Sequence, residues 1–191
     1  RITIIGMGPV GASLGLALKR ANLADTEVIG TSQNRDYLST ASKMGAIDEA
    51  IANLKTAVRD AGLVILDTPL RETREIMETI GPILEKGCIV TDMSASKLRI
   101  MEWSEKYLPT YVNFIGGHPL TKKTLRSPKE ADASLFEGID YCIIMSKLAE
   151  QKAIKTVINL VETLGAKPLF LDTHEHDSYS AAMNYLPIVI S

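Results

Sequence analysis

The sequence predicts an α/β domain of the Rossmann type, built on a doubly wound, mostly parallel sheet. Short apolar segments alternate along the chain with longer helical patterns, which is the order of elements in such a domain. Most of these segments are continuously apolar, as in strands that are covered on both faces. A glycine-rich turn also follows the first segment and opens a helix, which is typical of a dinucleotide-binding βαβ unit.

Apolar runs and helical periodicity place the individual elements. The expected strands are residues 2–5, 27–29, 63–66, 88–92, 113–115, 141–145 and 168–171. The expected helices are residues 10–20, 35–44, 71–84, 97–107 and 150–164. Pro82 lies in the last turn of the third helix, and we expect it to end that helix early. Residues 121–138 are polar and rich in lysine, so we expect a long surface loop there.

A second helical region begins near the end of the chain. An amphipathic helix is expected from Thr173 onwards, so we place a domain boundary near Asp172. Residues 1–172 then form the dinucleotide-binding domain, and residues 173–191 form the first helix of an all-helical domain. The sequence starts without Met and stops inside an apolar run. We therefore expect the rest of that helical domain to be absent, together with some residues at the other end.

The composition argues against several classes of protein. The 191 residues are 46% hydrophobic and 23% charged, as in ordinary globular domains. The net charge of −2 gives no basic excess for binding nucleic acid or an anionic membrane. No apolar stretch approaches the length of a spanning helix. Cys88 and Cys142 each lie in an apolar segment, which indicates buried, reduced thiols and fits a cytoplasmic protein.

The glycine turn after the first strand is the strongest local signal. Gly6 allows the tight turn, Gly8 lets a pyrophosphate approach the backbone, and Gly11 lets helix and strand pack closely. The following helix offers free N–H groups to the phosphates. The alternative is a turn with only a structural role. The residues expected to bind the cofactor here are Gly6, Met7, Gly8, Pro9, Val10 and Gly11.

The end of the second strand favours NADP over NAD. NAD-binding domains usually carry Asp or Glu at this position, to bind the ribose hydroxyls. This chain has Thr31 and Ser32, followed by Asn34 and Arg35. Hydroxyls and an amide suit a 2′-phosphate, with the Arg35 guanidinium as its charge partner. The alternative is that Ser32 only caps a helix and Arg35 is solvated.

Polar residues near three later strand ends are further candidates, because ligands of open α/β sheets bind at the carboxyl ends of strands. His118 follows Gly116 and Gly117 just past an expected strand end, where it can accept a proton from a hydroxyl or simply bond to the backbone. Thr68 and Pro69 are expected beside the path of the nicotinamide. Ser94 and Ser96 can either cap a helix or touch the cofactor. Lys97 can either meet an anionic substrate or lie in solvent.

Two more histidines lie near the expected domain boundary. His174 and His176 form an H-x-H pattern at a helix start, and residues two apart do not share a helix face. No Cys or further His pattern completes a metal site. We therefore expect a polar helix N-terminus and no metal.

Taken together, these motifs resemble the prephenate/arogenate dehydrogenase family, over essentially the whole chain and in the family's order. The most specific is the segment around His118, Phe114-Ile-Gly-Gly-His-Pro119. The other matching pieces are the glycine turn with Ser13 and Leu14, Thr68-Pro69, Thr91-Asp92 with Lys97, Glu175-His-Asp177, and Leu186-Pro187. The glycine turn alone would not separate this family from other dehydrogenases.

The resemblance implies an oxidative decarboxylation that uses NAD or NADP. His118 would take the proton of the ring hydroxyl of prephenate or arogenate, while hydride passes to the nicotinamide. Loss of CO2 would give 4-hydroxyphenylpyruvate or tyrosine. We assign catalytic roles to His118, Ser96 and Lys97, and a cofactor contact to Ser94. The family's helical C-terminal domain, of which only the first helix is present, would make a homodimer and supply an arginine for the substrate.

Three departures from the family pattern leave other functions open. The family serine that supports the catalytic histidine aligns with Ala95, a second family histidine aligns with Tyr185, and the family's Met-Ala-Gly after His-Pro is replaced from Leu120 onwards. One alternative is a related NADP-dependent dehydrogenase with a different substrate. The other is a catalytically weak protein that senses NADP(H).

Overall fold

An eight-stranded sheet organises the chain in a computed structural model, which describes the backbone of residues 1–190 and the side chains of residues 1–182. The strands are β1 (Ile2–Ile5), β2 (Val28–Thr31), β3 (Glu49–Ala50), β4 (Leu63–Leu66), β5 (Ile89–Asp92), β6 (Asn113–Pro119), β7 (Asp140–Met145) and β8 (Lys167–Phe170). The helices are α1 (Pro9–Ala21), α2 (Arg35–Lys43), α3 (Leu54–Ala57), α4 (Leu70–Ile80), α5 (Leu98–Tyr107), α6 (Gln151–Thr163) and α7 (Thr173–Ile190). The predicted doubly wound, mostly parallel sheet is confirmed.

The strand order is β3-β2-β1-β4-β5-β6-β7-β8. All neighbours are parallel except β6 and β7, which run antiparallel to each other. From β1 the chain first builds outward to β2 and β3, then returns to add β4 on the other side. This reversal makes a crevice beyond the carboxyl ends of β1 and β4, where open α/β sheets bind their ligands.

The central strands form because they can be buried on both faces. Every residue of β1, β2, β4 and β5 is buried. Apolar residues of α1, α2 and α6 cover one face of the sheet, and those of α3, α4 and α5 cover the other. The two faces therefore carry separate hydrophobic cores, as a doubly wound sheet requires.

Two short elements went unpredicted. The strand β3 has only two residues, both exposed, and α3 is a single turn of four residues. Neither is long enough to show a period of hydrophobicity. Their formation depends on tertiary context: β3 pairs with β2, and the Asn53 side chain caps α3 by accepting a bond from the Thr56 amide at 3.0 Å.

Two expectations about irregular segments had different outcomes. The early end at Pro82 is confirmed, because α4 stops at Ile80 and continues as a 3-10 turn over Gly81–Ile83. The expectation of a surface loop over residues 121–138 is partly wrong. That segment contains a 3-10 turn at Pro128–Glu130, and Leu135 and Phe136 are buried in the core against the α1 side of the sheet.

The helix expected from Thr173 is present as α7. It packs against α5, where the Ser180 hydroxyl donates to the Ala95 carbonyl at 2.8 Å. Its assignment to a second domain stays a prediction.

Within the described part of the chain, no helix combines the length and hydropathy needed to cross a bilayer. Both thiols are buried and unpaired, and burial raises the pKa of Cys88 to about 12 and that of Cys142 to about 11.

Candidate active site

His118 lies within β6 and not beyond its end, which corrects the expected position. The parallel pairing of β6 with β5 stops at Ile115, where the sequence pattern ended the strand. The antiparallel partner β7 extends the pairing further, so that His118 faces Cys142 across the ladder. The histidine is therefore fixed at the junction between the parallel and antiparallel parts of the sheet.

The two glycines before His118 make room for a buried ion pair. A Cβ at Gly116 would lie 3.2 Å from the Lys97 side chain, and a Cβ at Gly117 would lie 2.5 Å from the Asp92 carbonyl oxygen. The Gly117 amide also donates to the Asp92 carboxylate at 3.1 Å. These glycines therefore pack against the protein interior and do not face a ligand.

Lys97 neither meets a substrate nor lies in solvent, so the expectation for this residue is wrong. Its side chain is fully buried, and its Nζ lies 2.6 Å from Asp92 Oδ2 and donates to the Ser94 carbonyl at 2.6 Å. An unpaired ammonium cannot be buried at low cost, so the carboxylate of Asp92 determines this position. The pair ties the end of β5 to the start of α5.

The start of α5 is capped by a residue of another helix. Asp177 of α7 accepts the Lys97 amide at 2.7 Å through Oδ1 and the Leu98 amide at 3.0 Å through Oδ2. Neither Ser94 nor Ser96 supplies the expected cap. A carboxylate at a helix N-terminus satisfies free amides and interacts favourably with the helix dipole.

A chain of hydrogen bonds connects His118 to this cap. His118 Nδ1 lies 2.9 Å from Nε2 of His176, and His176 Nδ1 lies 2.9 Å from Asp177 Oδ1. His176 is fully buried, although the sequence indicated only a polar helix start. The arrangement links three side chains from β6 and α7 into one unit.

Electrostatics keep both imidazoles neutral. Burial, with smaller effects of Lys97 and His176, lowers the pKa of His118 to about 3. Burial also lowers the pKa of His176, against the opposing hydrogen bond to Asp177. Burial alone would raise the pKa of Asp177, but bonds from His176 and from the two α5 amides bring it below its usual value.

These protonation states assign the hydrogens. Ionised Asp177 only accepts, so His176 Nδ1 carries a hydrogen and donates it. Neutral His176 then has a bare Nε2, which must accept the hydrogen of His118 Nδ1. This leaves Nε2 of His118 without a hydrogen, as a hydrogen-bond acceptor. This arrangement is compatible with the first of the two roles expected for His118, that of a proton acceptor.

A cavity of about 670 Å³ opens beyond the carboxyl ends of β1, β2 and β4. We call it the glycine-turn cavity. Of the predicted cofactor-binding residues, those that line it are Gly6, Met7, Gly8, Pro9, Val10, Thr31, Ser32, Asn34, Thr68 and Pro69. The cavity therefore brings most of the predicted set together.

The glycines of the turn fit a bound pyrophosphate. A Cβ at Gly6 or Gly11 would lie within about 2 Å of a backbone oxygen, so these two glycines are needed for the turn itself. Gly6 also has φ of +101°. A Cβ at Gly8 would have only a carboxylate oxygen of Asp67 near it, at 3.7 Å. Gly8 thus leaves open space at the N-terminus of α1, and Gly11 lies beneath the turn.

The end of β2 is arranged differently from the sequence prediction. Asn34 caps α2, with Oδ1 accepting the Asp36 and Tyr37 amides at 3.0 and 3.1 Å. Ser32 instead accepts the Asn34 amide at 3.2 Å. Arg35 is exposed and is not among the residues that line the glycine-turn cavity. The guanidinium that does line it belongs to Arg71, at the start of α4.

A second cavity, of about 460 Å³, adjoins the first through Thr68 and Pro69. We call it the bridging cavity; Ser94, Ala95 and Ser96 line it. The hydroxyl of Ser94 is buried and has no partner in the part of the chain described here. A water or a polar group of a ligand satisfies such a hydroxyl, so its position is compatible with the predicted cofactor contact.

A third cavity, of about 810 Å³, contains His118, and we call it the histidine cavity. It shares Ala95 and Ser180 with the bridging cavity. Three adjoining cavities, each sharing lining residues with the next, therefore lie between the glycine turn and His118. Ala95, and not Ser96, borders the space beside His118, so the structure does not bring Ser96 into that cavity.

Three candidate functional residues, His176, Asp177 and Asp67, were not predicted as site residues. His176 and Asp177 were quoted as part of a motif, but helical spacing gave no reason to connect them with His118 across 58 residues. Asp67, which directly precedes the predicted Thr68, also lines the glycine-turn cavity. The described residues contain no group of three or more His, Cys, Asp or Glu placed to hold a metal ion. The Tyr185 side chain lies outside the described residues.

Comparisons with known proteins identify the family to which the chain is similar. A family model described as "Prephenate dehydrogenase, nucleotide-binding domain" matches residues 14–169. Prephenate dehydrogenase of Lactococcus lactis subsp. cremoris is 31% identical over the whole of this chain, which covers 52% of that protein. The chain spans about half the length of the curated relatives it matches.

Solved structures show the same likeness. Prephenate dehydrogenase from Aquifex aeolicus, in complex with hydroxyphenyl propionate and NAD+, superimposes with a TM-score of 0.90 at 26% identity, covering 99% of this chain and 65% of that one. Synechocystis arogenate dehydrogenase superimposes with a TM-score of 0.88 at 26% identity, covering 99% of this chain and 66% of that one. The chain therefore belongs to the prephenate dehydrogenase family of NAD(P)-dependent oxidoreductases, of which it carries the nucleotide-binding domain.

Proposed function

We propose that the protein catalyses the oxidative decarboxylation of prephenate or arogenate with NAD or NADP. One observation carries the proposal. His118 presents an unprotonated Nε2, held in place by His176 and Asp177, in a cavity that the bridging cavity separates from the glycine-turn cavity, sharing lining residues with both. A proton acceptor beside a dinucleotide site is the arrangement that oxidation of a ring hydroxyl requires.

The chain's own groups would hold the cofactor along the path between the cavities. The open backbone at Gly8 and the α1 N-terminus suit the pyrophosphate, Thr31 and Ser32 suit the adenosine ribose, and the Ser94 hydroxyl suits the nicotinamide end. When bound, the nicotinamide ring supplies a hydride acceptor.

His118 would handle the proton of the same oxidation. As the ring C–H bond breaks, Nε2 accepts the hydroxyl proton, and the ring carbon becomes a ketone carbon. Loss of CO2 from the opposite ring carbon leaves its electron pair in the ring. The ring oxygen then takes the proton back from His118 as the product becomes a phenol. The proton therefore returns, and His118 ends the cycle neutral.

The surrounding residues orient His118 during this exchange. His176 fixes which nitrogen of His118 is bare, and Asp177 fixes His176. The negative charge of an anionic substrate beside Nε2 would raise the pKa of His118 from its low value while the substrate is bound. Lys97 acts only as a positioning residue, because its Nζ is bonded to Asp92.

Steady-state turnover of the full-length protein tests the proposal. Formation of reduced nicotinamide is followed with prephenate and arogenate in turn, each with NAD+ and with NADP+. We expect turnover with at least one pair, and His118→Asn should slow it by about 10²- to 10⁴-fold with little change in cofactor affinity. Unchanged turnover in His118→Asn, or none with either substrate, would overturn the proposal.

Ala95 supports a second candidate, a related dehydrogenase with a different substrate. It places a methyl group where the bridging and histidine cavities meet, at the position of a family serine. A sensor of NADP(H) is the further alternative. Nucleotide binding without turnover of either ring compound favours one of these two, and a screen of other cyclic hydroxy acids separates them.

Three finer points remain proposals. The hydroxyls of Thr31 and Ser32, together with the neighbouring Arg35, support NADP over NAD. The separation of residues 1–172 from a helical domain that begins at Thr173 rests on the start of α7. The homodimer rests on the family resemblance, and sedimentation of the full-length protein tests it.

A further inference from the structure

A carboxylate lies under the glycine turn. Asp67 directly follows β4, and its Oδ2 accepts the Gly11 amide at 2.7 Å. A Cβ on Gly11 would lie 2.9 Å from that oxygen, and one on Gly8 would lie 3.7 Å from it. The side chain is thus wedged between the end of β4 and the first turn of α1, and it lines the glycine-turn cavity.

Asp67 accepts an amide of the same helix N-terminus that would receive a phosphate. The α1 N-terminus otherwise has no acidic residue in its first turn, as suits a site for phosphate. An ionised carboxylate there repels a pyrophosphate, whereas a neutral carboxylic acid has an O–H to donate to a phosphate oxygen. The effect of Asp67 on the cofactor therefore depends on its proton.

Among the side chains of residues 1–182, no cation forms an ion pair with Asp67. From α1 it receives the Gly11 amide. From β7 it faces the uncharged Tyr141, whose pKa is raised by burial and, to a smaller extent, by the nearby Asp92 and Asp67. Among the residues that line the cavity, Arg71 of α4 is cationic, and its Nε lies 3.4 Å from a carboxylate oxygen of Glu72. Burial, opposed by the Gly11 amide, raises the pKa of Asp67 to about 6.

We propose that Asp67 is a cofactor-binding residue that holds the pyrophosphate as a neutral acid, so that the protein takes up a proton when the cofactor binds. The inference rests on the dinucleotide part of the proposed function and uses neither the ring substrate nor His118. Failure to turn over prephenate or arogenate therefore leaves it standing, and its own test is a binding measurement.

The test measures the dissociation constant of NAD+ for the full-length protein between about pH 5 and pH 9. NAD+ is the probe because a 2′-phosphate itself titrates near pH 6. We expect a constant value below about pH 6 and an approach to tenfold weaker binding per pH unit above it. Calorimetry in two buffers of different ionisation enthalpy should count about one proton taken up per NAD+ at pH 8.

Two variants make the test specific. Asp67→Asn keeps an acceptor for the Gly11 amide and adds an uncharged donor, so it should bind NAD+ with no pH slope and take up no proton. At pH 8 it should bind at least about tenfold more tightly than the unaltered protein. Glu72→Gln removes a partly exposed carboxylate, paired with Arg71, from the same cavity and should keep the slope.

Other outcomes count against the proposal. A pH-independent dissociation constant in the unaltered protein, or no proton uptake, overturns it without any variant. A slope that persists in Asp67→Asn, or one that Glu72→Gln removes, also overturns it. Adenosine lacks the pyrophosphate and should bind without the slope; the same slope with adenosine would assign the effect to the adenine end.

Discussion

His118 and His176 are joined by a hydrogen bond of 2.9 Å between Nδ1 of the first and Nε2 of the second, with their ring planes at 72°. The bond crosses from β6 to α7. It therefore couples the proton acceptor to the helix that also caps α5 through Asp177. A change at His176 should act on the orientation and protonation of His118, with little effect on the distant glycine-turn cavity.

Replacing His176 should impair turnover and not cofactor binding. We expect His176→Phe to lower kcat by about 10- to 100-fold, because His118 loses the partner that fixes its tautomer. His176→Gln offers an amide oxygen as acceptor and should recover part of the loss. The readouts are kcat, the pH dependence of kcat/KM and the dissociation constant of NAD+. His174→Ala, an exposed neighbour on the same helix, is the control and should change none of them.

The partly buried, neutral His118 should make the fold sensitive to mild acid. Its pKa is about 3 when folded, against the ordinary value of 6.5, so the unfolded chain binds the proton more strongly. Stability is therefore lost as pH falls from 6.5 towards 3, and at pH 5 the loss from this residue is about 2 kcal/mol.

A comparison of variants isolates that contribution. Asp67 acts in the opposite sense. Its pKa is raised to about 6 in the folded protein, so its protonation stabilises the fold as pH falls through 6. Urea unfolding at pH 8 and pH 5 should therefore be compared between the unaltered protein and His118→Asn. The stability difference between them should shift by about 2 kcal/mol. A shift no larger than that of His174→Asn would show that His118 is not held neutral.

The sequence was a good guide to the sheet and a poor guide to what surrounds His118. Continuous apolar runs predict buried strands well, and the glycine spacing has a direct backbone cause at Gly6 and Gly11. The hydrogen bond between His118 and His176 connects residues 58 positions apart. The bond from the Lys97 amide to Asp177 connects residues 80 positions apart. Such contacts depend on how whole elements pack, which local periodicity does not contain.

Lys97 shows the same limit for a charged residue. A lysine at a strand end is normally solvated or faces a ligand, and only the packing of Gly116 against its stem reveals that it is buried. The Lys97 ammonium can be buried because it is paired with the carboxylate of Asp92, five residues earlier. The same carboxylate accepts a hydrogen bond from the Gly117 amide. Spacing alone did not distinguish this structural pair from a substrate-binding cation.

Breaking the buried pair of Lys97 and Asp92 should destabilise the fold. Lys97→Met leaves the Asp92 carboxylate buried without its cation, which costs roughly 3–5 kcal/mol of unfolding free energy. Lys19→Met removes one partner of the ion pair with Asp48, which is partly exposed, and should cost about 1 kcal/mol or less. Urea unfolding at pH 7 measures both. Similar losses in the two variants would mean that burial does not determine the contribution of the pair.

The turn glycines should separate folding from cofactor binding. Gly11→Ala forces a Cβ to within 2.1 Å of the Gly6 carbonyl oxygen and should lower the unfolding free energy by about 1–3 kcal/mol. Gly8→Ala meets no atom closer than 3.7 Å, so it should unfold like the unaltered protein while binding NAD+ at least about tenfold more weakly. If Gly8→Ala bound NAD+ normally, the pyrophosphate would not lie against this turn.

Discrimination between NADP and NAD tests the end of β2. Asn34 lines the glycine-turn cavity, and its position is fixed because it caps α2. The exposed side chain of Arg35 starts from the next residue along the chain. We expect Arg35→Ala to weaken NADP+ binding by roughly 1.5–3 kcal/mol, the scale of a charged hydrogen bond, and to leave NAD+ nearly unchanged.

Arg71→Ala is the matched comparison, because Arg71 lines the same cavity from the opposite side, at the start of α4. Its loss should weaken NAD+ and NADP+ to similar extents, since contact with the adenine or the shared ribose does not distinguish them. Titration of both variants with both cofactors shows which of the two arginines lies near the 2′-phosphate. A loss specific to NADP+ in Arg71→Ala, with none in Arg35→Ala, would place the 2′-phosphate against α4 and remove the argument from the end of β2.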